Sequence, residues 1–436
     1  MVSTRLVQTL NTFVMMVIIA QLGHTVLAAS FTIGMIRIIV MLIFIAPLFA
    51  LGAIVGRQFS EHGTKSLSDL LRQAWLASLL LSVPPIAIYI LIEPIMVLCH
   101  QPATVIPYIG AYFHYFVWAM PAICLITANN QVLAAINRQK IVLLFSVLSL
   151  LVSIILNLGL VLGQFGLPKL GVEGAGIAGV VVNWMVWVLS TIAVLRSIKV
   201  KLFDRFQQGW MWIKLIFGIG MPICFEVSSE MLMLFVVTMM VGWLGEIAMA
   251  ASQISSEYML FIIVPVFGLS EALAIVVGQA LGSQQQGILS KLGHAGWLSA
   301  VSYAVIVAVV FLIWHRPLAD LFIHFGTDHA IDIYHLAMWL LLIRVLNMFF
   351  DGTTMVMVGC LRGLYDTKFS MYVSIGSSWL VVIPGALLLG FVLGLGVIGI
   401  TLAGALGSVV SATILWCRWQ GKLKSLPSSS ESRGQA

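Results

Sequence analysis

Apolar residues in this chain come in long unbroken runs closed by short polar breaks, with no alternation of apolar and polar positions. Alternation is the mark of a membrane barrel, so the runs point to helices. About 20 apolar residues are enough for a helix to cross a bilayer. The breaks predict spans over residues 5–22, 29–56, 73–98, 107–135, 141–163, 173–196, 211–241, 249–280, 293–314, 332–361, 369–393 and 396–417. The expected fold class is an all-α integral membrane protein with about twelve transmembrane helices.

Composition closes off the soluble alternatives. Of the 436 residues 61% are hydrophobic and 9% charged, and the mean hydropathy is +1.08. A soluble domain is nearer 45–50% apolar and about 25% charged. The basic residues then set the topology. Eighteen of the 22, among them Arg57, Arg138, Lys199, Lys291, Arg362 and Lys424, fall on one face, and only Lys169 and Arg316 on the other. Arg37 and Arg344 lie inside spans. That asymmetry places both termini in the cytoplasm and makes the span count even. The net charge of +6 is therefore a topology signal, and no nucleic-acid partner is implied. The five cysteines stand singly in or beside apolar runs and read as small hydrophobes. The N-terminus lacks a small-residue cleavage site and is expected to start the first span.

The longest polar connection, Arg196 to Trp210, sits near the middle. It divides the chain into an N-terminal lobe over 1–200, a cytoplasmic linker over 201–210, a C-terminal lobe over 211–420 and a polar tail over 421–436. The halves repeat. Leu22-Gly23 before Ala28-Ala29-Ser30 returns as Leu244-Gly245 before Ala250-Ala251-Ser252. Leu133 to Lys140 returns in spacing as Leu361 to Lys368, and Leu170-Gly171-Val172 as Leu395-Gly396-Val397. Six spans separate the copies, so two pseudo-symmetric six-helix lobes share one orientation, as in transporters built from parallel repeats. The small-residue runs Gly171–Gly179 and Gly396–Gly407 let helices approach closely.

Charge inside the membrane is costly, about 2.5–3.5 kcal/mol per carboxylate at mid-helix even on the mild insertion scale. Such groups face a partner or a cavity. The C-terminal half holds Glu226, Glu230, Glu257, Glu271 and Asp351; the N-terminal half holds only Glu93, at a helix end before Pro94. Glu226 and Glu230 are four apart and share a helix face, where two carboxylates repel unless a proton or cation intervenes. Arg344, Asn347 and Asp351 share another face, and Arg344 is expected to pair with an acid of a neighbouring span. Glu271 lies near the cytoplasmic end and suits a structural role. Arg37, near mid-depth in the second span, sits in a lobe with no acid to match it; facing a cavity it would attract anions, and otherwise it snorkels or bonds a backbone carbonyl. Asn129, Asn130, Gln131, Ser153, Asn157 and Asn183 could line an N-lobe substrate pocket, and interhelical hydrogen bonds explain them equally well. His324, Asp328, His329 and Asp332 share an outer loop without a spacing that fixes a metal geometry. No HExxH, GxSxG or Walker-type loop marks the chain as an enzyme or ATPase.

The motifs together resemble the multidrug and toxic compound extrusion (MATE) transporters, within a larger superfamily that includes lipid-linked oligosaccharide flippases. They are Phe165-Gly166-Leu167-Pro168 leading into Leu170–Gly176, Gly220-Met221-Pro222, Ala250–Ile254, Val277-Gly278-Gln279, and Leu361-Arg362-Gly363 with Asp366-Thr367. The resemblance implies two six-helix lobes around a central cavity, exporting amphipathic organic cations in exchange for Na⁺ or H⁺. No cofactor beyond the coupling ion is implied, and the chain is expected to act as a monomer in the plasma membrane, the inner membrane of a bacterium. The family's C-lobe acidic site corresponds to Glu230, eight residues after Pro222, and Asp351, eleven before Arg362, with any Na⁺ held there. Gln253 stands where the family often has glutamine, and Glu257 where asparagine is common. The family's first-span acid is Met15 here, which puts coupling through the N-lobe in doubt. The family also has a full helix ahead of this point, so either the first helix is short or the natural start lies upstream of Met1. The rival reading is a flippase for a lipid-linked oligosaccharide or other anionic lipid, which Arg37 favours and the acids oppose. A passive channel or scaffold has no need of five intramembrane acids.

Overall fold

A computed structural model describes residues 24–198, 209–320 and 330–425, with isolated positions before residue 24. Most of the first expected span including Met15, most of the 201–210 linker, the loop residues His324, Asp328 and His329, and the tail beyond Ser425 lie outside the described residues. Among the described residues every regular element is helical. They are α1 (His24–Ile45), α2 (Ala50–His62), α3 (Leu67–Ile90), α4 (Ile92–Leu98), α5 (Ile106–Phe116), α6 (Met120–Ala135), α7 (Gln139–Leu162) and α8 (Val172–Ile198). Then follow α9 (Met211–Gly242), α10 (Glu246–Gly282), α11 (Gln286–Asp320), α12 (Ala330–Gly363), α13 (Thr367–Gly376), α14 (Ile383–Ala386) and α15 (Gly396–Ser425). Eleven stretches are long and apolar enough to cross a membrane, from Ala29–His62 to Gly396–Ser425. They match the second to twelfth expected spans.

The third span shows where hydropathy misleads. It starts at Leu67, ahead of the expected 73, because its first turns carry the polar residues Asp69, Arg72 and Gln73. All three are buried, at 7%, 9% and 0% exposure. Arg72 Nη2 donates to Asp69 Oδ1 at 3.2 Å, and Gln73 Nε2 donates to Asp69 Oδ2 at 3.0 Å and to the Gly209 carbonyl at 2.7 Å. Gln73 Oε1 accepts from the Trp212 and Ile213 N–H groups at 3.1 and 3.2 Å. Those amides begin α9 and have no intrahelical acceptor, so Gln73 caps a helix 139 residues away in sequence.

The chain forms two compact units, Ser3–Cys224 and Phe225–Ala436, and the division falls inside α9, two residues after its interior Pro222. In the first unit Tyr89, Tyr112, Phe113 and Phe116 stack into a buried aromatic core. Gly176 is required there, since a Cβ would stand 2.7 Å from the Tyr112 carbonyl oxygen. The second unit packs α10, α11, α12 and α15 around Val277, Val356, Leu361 and Trp419. Between α13 and α15 the helix loosens into π turns at Ser377–Val382 and Leu387–Val392, on either side of Pro384.

The internal repeat is carried by backbone geometry. Asn137 and Tyr365 occupy matching positions and both take positive φ, 61° and 64°. Each ends its helix with the same pair of bonds: Arg138 N–H to Leu133 and Asn137 N–H to Ala134, against Asp366 N–H to Leu361 and Tyr365 N–H to Arg362. That is the Schellman pattern. Gly171, just before α8, and Gly396, the first residue of α15, likewise share φ of 58° and 59°.

Candidate functional site

The intramembrane acids of the second unit do not form one equivalent cluster. Glu226, on the first turns of α9 beyond Pro222, is buried, and its Oε2 lies 3.4 Å from Arg362 Nη2. Arg362 belongs to the last turn of α12 and turns inward, whereas the sequence placed it in a cytoplasmic connection. The guanidinium thus neutralises one member of the Glu226–Glu230 pair. Glu230, one turn further on, is half-buried and lies within electrostatic reach of Glu226, Asp351 and Arg362.

Asp351 on α12 is half-buried and held from two sides. Asn347 Nδ2 donates to its Oδ2 at 2.9 Å, and Ser408 Oγ on α15 donates to its Oδ1 at 2.5 Å. Asn347 also donates to Ser408 at 3.2 Å, closing a triangle of side chains. Its own amide oxygen, Asn347 Oδ1, is buried with no hydrogen-bond partner among the described residues. Carboxylate, amide and hydroxyl oxygens are the donor set that hard cations take. These oxygens fit a Na⁺ or a proton as cargo.

The remaining expected residues lie close by in different roles. Gln253 Nε2 donates to Glu257 Oε1 at 2.9 Å, one turn apart on α10. Glu271 is half-buried further along α10, with interactions of its own. Arg344 Nη1 donates to Ser256 Oγ of α10 at 3.1 Å, so its neighbouring-span partner is a hydroxyl where an acid was expected. Asp351 acts on Arg344 electrostatically along their shared helix. Sequence reasoning passed over Ser408 and Arg362. The signals existed, a lone hydroxyl just past a small-residue run and a basic residue at a helix end. It also passed over Trp379 in the first π turn, whose indole N–H donates to Ser229 Oγ at 2.9 Å.

In the first unit several of the expected polar residues bond within the protein, while Asn157 Oδ1 is buried with no hydrogen-bond partner among the described residues. Asn129 is fully buried; its Oδ1 accepts from Trp75 Nε1 at 2.8 Å, and its Nδ2 donates to Ser190 and Thr191, both at 3.0 Å. It ties α3, α6 and α8. Asn157 Nδ2 donates to the Ser153 carbonyl at 2.7 Å and hydroxyl at 3.2 Å, and Asn183 Nδ2 to the Gly179 carbonyl at 2.8 Å. Arg37 on α1 stands 5.9 Å over the Phe116 ring. Asp332 is exposed at the start of α12, and no group of three His, Cys, Asp or Glu residues able to hold a metal occurs among the described residues.

Eleven described stretches able to cross a membrane, with carboxyl groups kept among them, give the chain the make-up of a membrane transporter. The chain belongs to the MatE family, whose pattern matches residues 1–158 and 222–388. It is 28% identical over 406 residues to the probable multidrug resistance protein NorM of Xylella fastidiosa, covering 91% of this chain and 85% of that one. The corresponding NorM of Mesorhizobium japonicum is 25% identical over 430 residues, covering 96% and 91%. In fold it superposes on an outward-facing multidrug resistance MATE transporter of the MOP superfamily with a TM-score of 0.89 at 17% identity, covering 98% and 95%. The Vibrio cholerae MATE transporter VcmN in its bent form gives 0.87 at 19% identity, covering 97% and 94%.

Proposed function

We propose that this protein is a secondary antiporter that exports amphipathic small molecules, cations among them, in exchange for Na⁺ or H⁺. Asp351 and Glu230 carry the coupling ion. The observation that supports this reading most is the unequal treatment of the acids. Glu226 has a guanidinium at 3.4 Å, while Asp351 is positioned by two neutral donors, with Arg344 acting on it electrostatically, beside the orphaned oxygen of Asn347. An ion that binds one conformational state better than the other shifts the equilibrium between them, and that differential affinity is all that coupling requires. Gln253 and Glu257 stand within the same unit as accessory oxygens. Both termini are proposed to be cytoplasmic from the distribution of basic residues. The relatives named for multidrug resistance favour small-molecule export over lipid flipping.

The test uses everted vesicles loaded with a fluorescent cationic dye under opposed Na⁺ and pH gradients. Asp351→Asn and Glu230→Gln are expected to abolish gradient-driven dye movement, and one gradient alone is expected to drive the wild type. Dye movement that survives both substitutions removes the site assignment. Movement that depends on ATP and ignores both gradients removes the antiport reading.

A further inference from the structure

One end of the second unit sets aromatic rings and positive charge in a fixed order. Helix α11 begins at Gln286 and α15 stops at Ser425, and these two ends meet. Leu289 and Leu292 share an apolar cluster with Leu415, Trp419 and Leu423. Gly293 is required at the seam, since a Cβ there would stand 2.6 Å from Trp419 Nε1. Beside the seam Trp416 meets the rings of His294 at 5.8 Å and Trp297 at 5.6 Å, both edge-on. His294 Nδ1 lies 2.7 Å from the Ser290 carbonyl oxygen, and Trp297 Nε1 donates to Thr353 Oγ1 at 3.2 Å, so both rings are held in place.

Helical spacing sets the depth of each residue. Trp416, Gln420 and Lys424 share a face of α15, and Lys291, His294 and Leu298 share one of α11. Each face runs from an exposed lysine at the helix end to an aromatic ring. On α11 it continues into the apolar span through Leu298 and Val305, which are 59% and 56% exposed. A membrane leaflet presents the same order of chemistry: charged headgroup, then the interface where tryptophan collects, then acyl chain.

The two lysines have no acid to balance them. Over residues 273–300, 357–376 and 412–425, which form this end, Asp366 is the only carboxylate. It is committed elsewhere. Its Oδ2 takes Arg418 Nε at 2.9 Å and Lys422 Nζ at 3.3 Å, two residues on the opposite side of α15 from Trp416 and Lys424. Arg418 is also held there over the Phe369 ring, at 4.4 Å. No carboxylate of this end is left for Lys291 and Lys424 among the described residues.

We propose that the groove between the start of α11 and the end of α15 binds an anionic phospholipid. Lys291 and Lys424 take the phosphate, Trp416 and His294 flank the glycerol, and one acyl chain lies along Leu298 and Val305. Phosphate oxygens accept charge-assisted bonds from ammonium groups, and basic pockets between spans are suited to such headgroups. A zwitterionic lipid adds a cation of its own, which the lysines repel, so the groove selects for net negative charge. Asp366 acts by drawing Arg418 and Lys422 away to the far side of α15, which keeps Gln420 and the rings open to the lipid. The site does not rest on the antiport reading and is tested without transport.

The experiment titrates the purified full-length protein in detergent with phosphatidylglycerol or phosphatidylcholine, each brominated on the acyl chains. Bromine quenches an indole that it touches, so the saturating loss of tryptophan emission reads binding. The wild type is expected to reach half-quenching at a mole fraction of phosphatidylglycerol about 25-fold below that of phosphatidylcholine, roughly fivefold for each lysine. Lys291→Gln and Lys424→Gln each reduce that preference about fivefold, and together they remove it, with the melting temperature unchanged. Trp416→Phe takes away the larger part of the quenching specific to phosphatidylglycerol. Equal midpoints for the two lipids in the wild type overturn the proposal. So does an equal loss of preference in Arg138→Gln with Lys140→Gln, two exposed cations of the first unit, because the attraction is then diffuse surface charge. Quenching that survives Trp416→Phe undiminished puts the lipid elsewhere and removes the site. Millimolar glycerol phosphate that displaces phosphatidylglycerol reassigns the lysines to a soluble anion and overturns the lipid assignment.

Discussion

The two compact units share a backbone plan and hold opposite chemistry. Asn137 and Tyr365 close equivalent helices through the same Schellman bonds, and Gly171 and Gly396 open equivalent helices with the same left-handed turn. Yet the second unit keeps Glu226, Glu230 and Asp351 among its helices, while the first keeps Arg37 over the buried Phe116 ring, beside the phenols of Tyr89 and Tyr112. The turns serve the fold, so a duplicated chain cannot change them cheaply. A charge kept without an ion-pair partner inside the bundle is harder to explain by the fold, since burying it costs free energy. What differs between the halves is therefore the better guide to what each half does.

The comparison breaks most visibly at Arg362. If its role is to neutralise Glu226, Arg362→Gln leaves a buried carboxylate with no counter-charge, which costs about 3–5 kcal/mol of stability. Thermal unfolding in detergent is expected to show that loss, and the double variant Arg362→Gln with Glu226→Gln is expected to restore most of it. A single variant as stable as wild type means that Glu226 is not held by this pair, and the acids of the second unit then stand as equals.

Much of this architecture could be read from the sequence. Eleven spans follow from unbroken apolar runs, because lipid leaves a helix no other composition. The repeat was visible in Leu-Gly-Val and in the spacing after Leu133 and Leu361. The third span was placed late because Asp69, Arg72 and Gln73 satisfy one another inside the bundle, and hydropathy counts a bonded polar residue as an exposed one. The acids were legible as candidates. Their ranking was not, because it depends on partners far away in sequence: Arg362 for Glu226 across 136 residues and Ser408 for Asp351 across 57. Asn129 was legible as polar, while its commitment to Trp75, Ser190 and Thr191 appears only once three helices meet.

A smaller change sharpens the claim that Asp351 is the positioned acid. Ser408→Ala removes one hydrogen bond to the carboxylate, worth about 1.5–3 kcal/mol for a bond to a charged group. Gradient-driven export is expected to fall by roughly tenfold or more on that basis, with the melting temperature close to wild type. Ser408→Thr keeps a hydroxyl and is expected to keep most of the activity. If Ala and Thr behave alike, the hydroxyl contributes nothing to coupling, and the site centres on Glu230 instead.

The smallest effect is expected at Asn129, and it tests the other half of the comparison. Its oxygen and both N–H donors are already engaged between α3, α6 and α8, which commits the side chain to holding those helices together. Interhelical hydrogen bonds inside membranes average about 0.6 kcal/mol and reach about 1.7 kcal/mol. Asn129→Ala is accordingly expected to lower unfolding stability by about 1–2 kcal/mol, with Trp75→Phe giving part of the same loss and the pair adding less than their sum. Neither variant should alter which compounds the vesicles export or which gradient drives them. A variant that melts like wild type but exports a different set of dyes reverses the assignment. Asn129 would then be a substrate contact, and the first unit would take part in choosing the cargo.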